Sequence, residues 1–532
     1  FKQYLASNLE EDEVEAIAYI DSPITIADGG SLVVNGSLSI TDDLEDAVGD
    51  DNVTVAADSA LVIGAGAFDN TQDDDGNYGT SQAAITFADT ANSTVNLASG
   101  SQIEFVGLNT FVTQQINLFD GAASITNSGA DITTANHMFM GTLNSEGVVT
   151  LSYDEDNANL ALRDTDDSIA NPIKEFAQTS SAENQFISTS FVNKALELDT
   201  PQEIGKALNS AARFAILAGG IQNAQVAQRA YTDAIEERMG FSAKTSSNIG
   251  EVKGTDVTVW LTPTYTYADS EGFSSGKSGG YGMDSKLWGI ALGADVAMQN
   301  GFTLGAAFHA GSGKSDKNGS GWSRTHNDFS YVGVSLYGAY QYEGFKGLLD
   351  FTYTGVRNDA DQSNPVGKIK KKFNSSAFSI GLTGKYDYSF ESGVTITPHV
   401  GVRWTRYGVD SFNASVSGAD AIYSKKLHAN VVTIPVGIGI SKDFRTKNGW
   451  QLKPAADFSV IPACGDMDVK SKITSNNITM SAKSDIYDRI SYRGRIGFDA
   501  QYKNFGIGIG YTYLGSKNTS SHNFSLTARY TF

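Results

Sequence analysis

His137 is the only imidazole in the first 200 residues of this 532-residue chain. A serine or cysteine hydrolase needs a base held beside its nucleophile. That stretch has one histidine, no cysteine and no nucleophile-elbow motif, so His137 reads as a surface or turn residue. The oxygen-rich stretches suggest a second chemistry. Asp69 with Asp73, Asp74 and Asp75, then Asp154-Glu155-Asp156, then Asp164, Asp166 and Asp167, are hard ligands of the kind calcium takes. Their spacing departs from an EF-hand loop, and all three read as solvated acidic loops. Cys464 is the single cysteine, which excludes an internal disulfide framework and a Cys-based zinc site. The expectation is a protein that is not an enzyme, with no catalytic residue, no metal ligand and no cofactor.

The charges that remain are unevenly spread. Residues 1–200 carry 33 acids and 4 bases, and residues 201–532 carry 27 acids and 35 bases, so a net of −29 is followed by a net of +8. No basic residue stands between Lys2 and Arg163. A split this sharp predicts two domains in different surroundings. The acidic half cannot oppose phosphates, which excludes a nucleic-acid partner there. The 55 glycines, 23 tyrosines and 28 phenylalanines, with only 9 prolines, point to a large β protein with many turns. The chain starts at Phe1, which fits either a removed signal peptide or a cut made there.

From about residue 255 the sequence repeats one pattern of alternating apolar and polar residues, then a turn. It predicts twelve strands, near 255–269, 285–298, 301–315, 327–342, 345–357, 374–388, 393–407, 427–442, 449–461, 485–501, 504–514 and 521–532. Alternate side chains of a strand face opposite ways. Ile490, Tyr492, Ile496 and Phe498 therefore share one face, and Arg489, Ser491, Arg493, Arg495 and Asp499 the other. Arg403 likewise opposes Val400, Val402 and Trp404. Apolar faces rich in aromatics and polar faces rich in charge suit a barrel with lipid outside and a polar lumen. The connections agree. Those at 270–284, 316–326, 358–373, 408–426 and 462–484 are long, while those at 299–300, 343–344, 389–392, 443–448 and 502–503 are short. Lys368, Lys370, Lys371 and Lys372 fall in one long loop and read as a solvated rim. No window reaches the roughly 18 apolar residues of a transmembrane helix.

Ahead of the barrel, Thr200-Pro201-Gln202-Glu203 is a capping box with proline at the first helical position. It opens an alanine-rich helix over about 201–239, interrupted by Gly219-Gly220. Residues 22–165 hold many short apolar-x-apolar pairs, such as Val53/Val55, Leu61/Ile63 and Ile103/Phe105, separated by Gly, Asp and Asn turns. Such strands gain stability by stacking as rungs, which predicts a β-solenoid, with a small β-sandwich as the alternative.

The chain closes on Phe524-Ser525-Leu526-Thr527-Ala528-Arg529-Tyr530-Thr531-Phe532, with alternate apolar residues and a final aromatic. Residues from about 200 onward resemble the C-terminal translocator barrel of a bacterial autotransporter, the type V secretion family. The resemblance implies that Tyr530 and Phe532 form the signal read by the barrel-assembly machinery. It implies that the helix threads the lumen, so that Asp233, Glu236 and Glu237 face Arg403, Arg489, Arg493 and Arg495. It also implies a passenger exported to the cell surface, most often a β-helix in this family.

The resulting expectation is an all-β protein. A cap or frayed segment spans 1–21, an acidic β-solenoid passenger 22–180, a linker and helical plug 181–254, and a twelve-stranded antiparallel transmembrane barrel 255–532. It would sit as a monomeric barrel in a Gram-negative outer membrane, among lipid and lipopolysaccharide. It would display an adhesin or stalk to an unknown surface ligand. The rivals are a solute channel and a surface enzyme. Self-cleavage at Asn209 or Asn223 of the helix is a further possibility, suggested by some relatives.

Overall fold

The computed structural model describes residues 18–20, 23–36, 38–40, 51–64, 67, 83–106, 110–111, 114–179, 186–187, 189–241, 256–298, 301–318 and 321–532. The acidic run Asp69 to Asp75, and most of the expected cap at 1–21, lie outside these residues. The chain divides into two compact units, Phe1–Asp164 with Ala170–Ile204, and Thr165–Ile169 with Gly205–Phe532.

In the first unit, successive turns of chain add one strand to each of three parallel sheets. Ala18–Ile20, Leu38–Ile40, Ile85–Phe87 and Phe119–Asp120 form one. Ile24–Ile26, Asn52–Val55, Thr94–Leu97 and Ser124–Asn127 form the next. Ser31–Val34, Ala60–Gly64, Gln102–Val106 and Asp131–Thr134 form the third. Strands of two to five residues are marginal alone, and several of these gain stability by burying an alternating apolar pair. Val53, Val55, Leu61, Ile63, Ile103 and Phe105 are all fully buried. The third sheet then turns antiparallel through Phe139–Leu143, Val148–Tyr153 and Gln114–Asn117. His137 takes a left-handed turn conformation at φ 60°.

Three helices follow that the strand pattern does not predict: α1 Glu155–Ala161, α2 Asp167–Gln178 and α3 Phe191–Leu196. The run Asp154-Glu155-Asp156 is therefore not a loop. Asp154 caps α1, its side chain accepting from the backbone N–H of Asn157 at 2.7 Å, and the next two acids occupy the first turn. Acids at a helix N-terminus face the positive end of its dipole, which is why they stand there.

In the second unit twelve strands close an antiparallel barrel. They are β1 Asp256–Ser270, β2 Gly282–Ala297, β3 Phe302–Asn318, β4 Arg324–Tyr342, β5 Phe345–Ser363 and β6 Lys368–Tyr386. β7 joins Val394–Val409 to Phe412–Val416, and β8 runs from Ala419–Ser424 through Leu427–Thr433 and Val436–Lys442. β9 joins Gln451–Gly465 to Asp468–Ser475, and β10 joins Ile478–Asp485 to Ile490–Tyr502. β11 is Phe505–Ser516, and β12 is Thr519–Thr531. β12 pairs with β1 and shuts the ring, with Tyr530 opposite Val259. No described helix is long and apolar enough to cross a membrane.

The expected long loops are a correction. Residues 358–373, 408–426 and 462–484 are mostly strand, and Lys368, Lys370, Lys371 and Lys372 lie in β6 rather than in a loop. β4, β5 and β6 each run 19 residues. About 10 tilted residues cross a bilayer, so roughly 30 Å of strand stands clear of lipid at about 3.3 Å per residue. The pattern reverses along that overhang. Deep in β6, Phe378 and Leu382 point outward at 37% and 54% exposure, and Ser379 and Thr383 inward. Higher up, Ile369 and Phe373 are buried inside while Lys368, Lys370 and Lys372 are exposed. Lipid outside demands apolar side chains there, whereas water outside demands the opposite.

Candidate functional site

The expected helix over 201–239 forms as three segments, α4 Pro201–Ala212, α5 Phe214–Leu217 and α6 Gly220–Glu236. At the start of α4, Thr200 Oγ1 accepts from the Glu203 backbone N–H at 3.2 Å, the N-cap half of the expected capping box, while the Glu203 carboxylate accepts from the Thr200 hydroxyl at 3.2 Å. The break before α6 falls at Gly219, whose φ of 72° suits glycine. A π-helical turn, Glu237–Phe241, ends the run.

Every residue of α6 but Arg229 is buried. Its alanines keep it thin, and its polar side chains bond to the barrel wall. Gln222 Nε2 donates to Ser270 Oγ at 3.1 Å, Asn223 Nδ2 to Ser315 Oγ at 3.2 Å, and Gln228 Nε2 to Ser379 Oγ at 2.8 Å. Tyr231 stacks on His309 with ring centroids 3.7 Å apart. Tyr231 and Ile235 join Trp260, Ala291, Ala307, Tyr337 and Leu348 in an apolar cluster inside the lumen.

The last turn of α6 carries the charge. Glu236 meets three arginines: Arg495 Nη1 at 3.0 Å, Arg493 Nη1 at 3.2 Å and Arg403 Nη2 at 3.5 Å. Asp233 pairs with Arg495 and lies 3.6 Å from Arg493. Arg403 is held from its other side by Asp350, at 2.7 and 2.8 Å. Ions this buried need well-aligned partners to offset desolvation, and this network supplies them to all but the Nε atoms of Arg493 and Arg495.

Two residues depart from the expected set. Glu237 accepts from Ser525 Oγ at 3.0 Å rather than from an arginine. It fits because Gly510 faces it: a Cβ there would lie 2.6 Å from the Glu237 carboxylate. Arg489 is exposed and lies outside the lumen. It shares the parity of Arg493 but precedes the start of this part of β10 at Ile490, so the alternation does not reach it.

The pattern also misses two buried pairs. Arg238 grips Asp295 in bidentate fashion, at 2.9 and 2.7 Å, and Tyr337 donates to the same carboxylate at 3.2 Å. Asp295 has inward parity on β2, so the same rule that found Arg403 could have found it. Arg213 pairs with Asp166, and both are almost fully buried. Asp166 was expected in a solvated acidic loop, and no local signal marks it. Asn209 accepts from the Asp166 backbone N–H at 3.0 Å, and Asn223 donates to Ser315 and to Asn358 Oδ1.

Crevices of about 40 and 80 Å³ flank α6 beside Gln225 and Arg229, and another of about 40 Å³ lies beside Glu237 and Arg238. Each has room for ordered water among polar groups. Among the described residues no group of three or more His, Cys, Asp or Glu could hold a metal ion. Tyr530 and Phe532 lie outward at 46% and 71% exposure, with ring centroids 4.8 Å apart.

A closed barrel, apolar outside, with a charged helix filling its lumen and a separate unit ahead of that helix defines a translocator of the outer membrane. Residues 259–512 match the Autotransporter beta-domain family, and the barrel is an autotransporter translocator. The protein is located in the outer membrane. The chain is similar to Outer membrane protein B of Rickettsia typhi, 23% identical over 294 residues that cover 52% of this chain and 17% of the relative. Outer membrane protein B of Rickettsia japonica is also 23% identical, over 290 residues and the same shares. The matched stretch is thus about a sixth of the length of these curated relatives. Among solved structures, the transport unit of the autotransporter AIDA-I from Escherichia coli gives a TM-score of 0.42 at 15% identity, covering 57% of this chain and 98% of that one. The translocator domain of NalP from Neisseria meningitidis gives 0.43 at 13% identity, covering 59% and 99%.

Proposed function

We propose that this protein carries its own N-terminal unit across the outer membrane and holds it at the cell surface as a β-solenoid passenger. That passenger acts by adhesion or as a stalk, not by catalysis. One observation supports this most directly: α6 lies inside the closed barrel and is joined through α5 and α4 to the unit of stacked parallel sheets. A rigid stack offers a long flat face for a surface ligand. The stacked unit has one histidine and no cysteine, which speaks against an enzyme.

Display is tested with an epitope tag inserted after Gly129, an exposed turn position between the strands Ser124–Asn127 and Asp131–Thr134. Antibody should label intact cells as strongly as permeabilised ones. Labelling only after permeabilisation would overturn display. The partners follow from the same reading: lipid and lipopolysaccharide around a monomeric barrel, and the barrel-assembly machinery at β12. Tyr530 and Phe532 are the residues proposed to meet that machinery. Phe532→Asp should sharply lower the amount of heat-modifiable barrel in outer membranes. Wild-type levels would remove Phe532 from the signal.

A further inference from the structure

The overhanging hairpins converge on α4 and α5. From the β1–β2 connection, Ser278 Oγ accepts from Asn209 Nδ2 at 2.9 Å. At the β3–β4 turn the Ser323 backbone N–H donates to Ser210 Oγ at 3.1 Å. At the β5–β6 turn Asn364 Nδ2 donates to the carbonyl of Ala207 at 3.0 Å. From β9, Ser471 Oγ donates to the carbonyl of Ala212 at 2.6 Å. Phe214 packs edge-on against Phe373 of β6 and Phe412 of β7, at 6.4 and 6.0 Å between centroids. Every residue from Ala207 to Leu217 is buried. Unlike the polar lumen below, this core is largely apolar, with Leu208, Ile216, Leu217, Ile369, Ile422, Val469, Ile473 and Met480 all buried.

One ion pair stands inside it. Arg213 is 1% exposed, and its guanidinium meets Asp166. Its Nε donates to Ser275 Oγ at 2.6 Å and its Nη1 to the Asn209 carbonyl at 3.3 Å, while Trp322 lies beneath it at 5.2 Å. Asp166 Oδ1 also accepts from the Lys277 backbone N–H at 2.5 Å, and Ser168 Oγ donates to the Ser481 carbonyl at 2.6 Å. The segment Thr165–Ile169 is therefore fastened to the mouth by contacts of its own.

We propose that α4, α5 and Thr165–Ile169 form a second plug at the outer mouth, locked by Asp166 and Arg213 and in series with α6. It gives the protein a permeability seal that does not depend on the charge network of the lumen. This inference rests on the translocator reading for its orientation only.

Two closures in series conduct only when both open. The test is single-channel conductance of the full-length protein in planar bilayers, for barrels that remain heat-modifiable. Arg213→Gln with Asp166→Asn loosens the mouth, and Asp233→Asn with Glu236→Gln loosens the lumen. Each pair alone should leave conductance within about twofold of wild type. The four changes together should raise it several-fold. In that four-fold variant, with Cys464→Ser, a disulfide between Asn209→Cys and Ser278→Cys should restore low conductance until it is reduced. If the lumen pair alone opens the pore fully, there is no second seal. The same conclusion follows if the disulfide changes nothing. Neither of these results bears on whether the first unit is displayed.

Discussion

Deleting residues 205–238 should raise single-channel conductance several-fold, because the deletion removes both the lumen helix and the mouth segment. All but one residue of α6 are buried against the wall, and without the helix the lumen fills with water. The barrel itself should survive. Breaking a buried ion pair ordinarily costs about 3–5 kcal/mol, because the remaining charge stays dry. Here Arg403, Arg493 and Arg495 would lose Asp233 and Glu236, but the same deletion wets them. Arg403 also keeps Asp350. The wall ladder is independent of the helix, with β1 paired to both β2 and β12 along its length. Heat-modifiable migration of the deletion variant would show the barrel intact. An intact barrel with wild-type conductance would mean that α6 is not what blocks the pore.

The barrel was legible because its strands obey one strict rule over most of their length. Period-2 alternation located all twelve strands, and it turned Arg403, Arg493 and Arg495 to the inside. It failed where the surroundings of the strand change. In β6 the apolar positions shift from Ile369 and Phe373 to Phe378 and Leu382, an odd series giving way to an even one. A single phase therefore begins this strand only at 374, where the structure begins it at Lys368. Arg489 fails for a related reason, since parity has no meaning one residue outside the strand. The helix was legible from Thr200, Glu203 and its alanines, and its interruption from Gly219. The mouth was not legible. Asp166 sits among the acids Asp164 and Asp167 and looks the same as they do, and only the fold brings Arg213 to it. In the first unit, short apolar pairs marked several of the short strands, but α1 and α2 begin at acids that suggested loops, and α3 lies where a linker was expected.

The central claim is that the N-terminal unit lies outside the cell, and trypsin tests it most directly. No lysine or arginine occurs between Lys2 and Arg163, so the protease has nothing to cut across the stacked sheets, folded or not. Arg163 itself is half exposed, with its side chain at 50%, and its neighbour Asp164 is its ion-pair partner at 3.5 Å. Such an exposed pair is weak and should not shield the bond. Trypsin added to intact cells should therefore release one fragment, residues 3–163, which resists further digestion. A protease of broad specificity should shorten that fragment. The measurement is the mass of what appears in the medium, compared with the same digestion of disrupted cells. The account predicts the 3–163 fragment from both. Its appearance only from disrupted cells would place the unit inside, and the display function would fall.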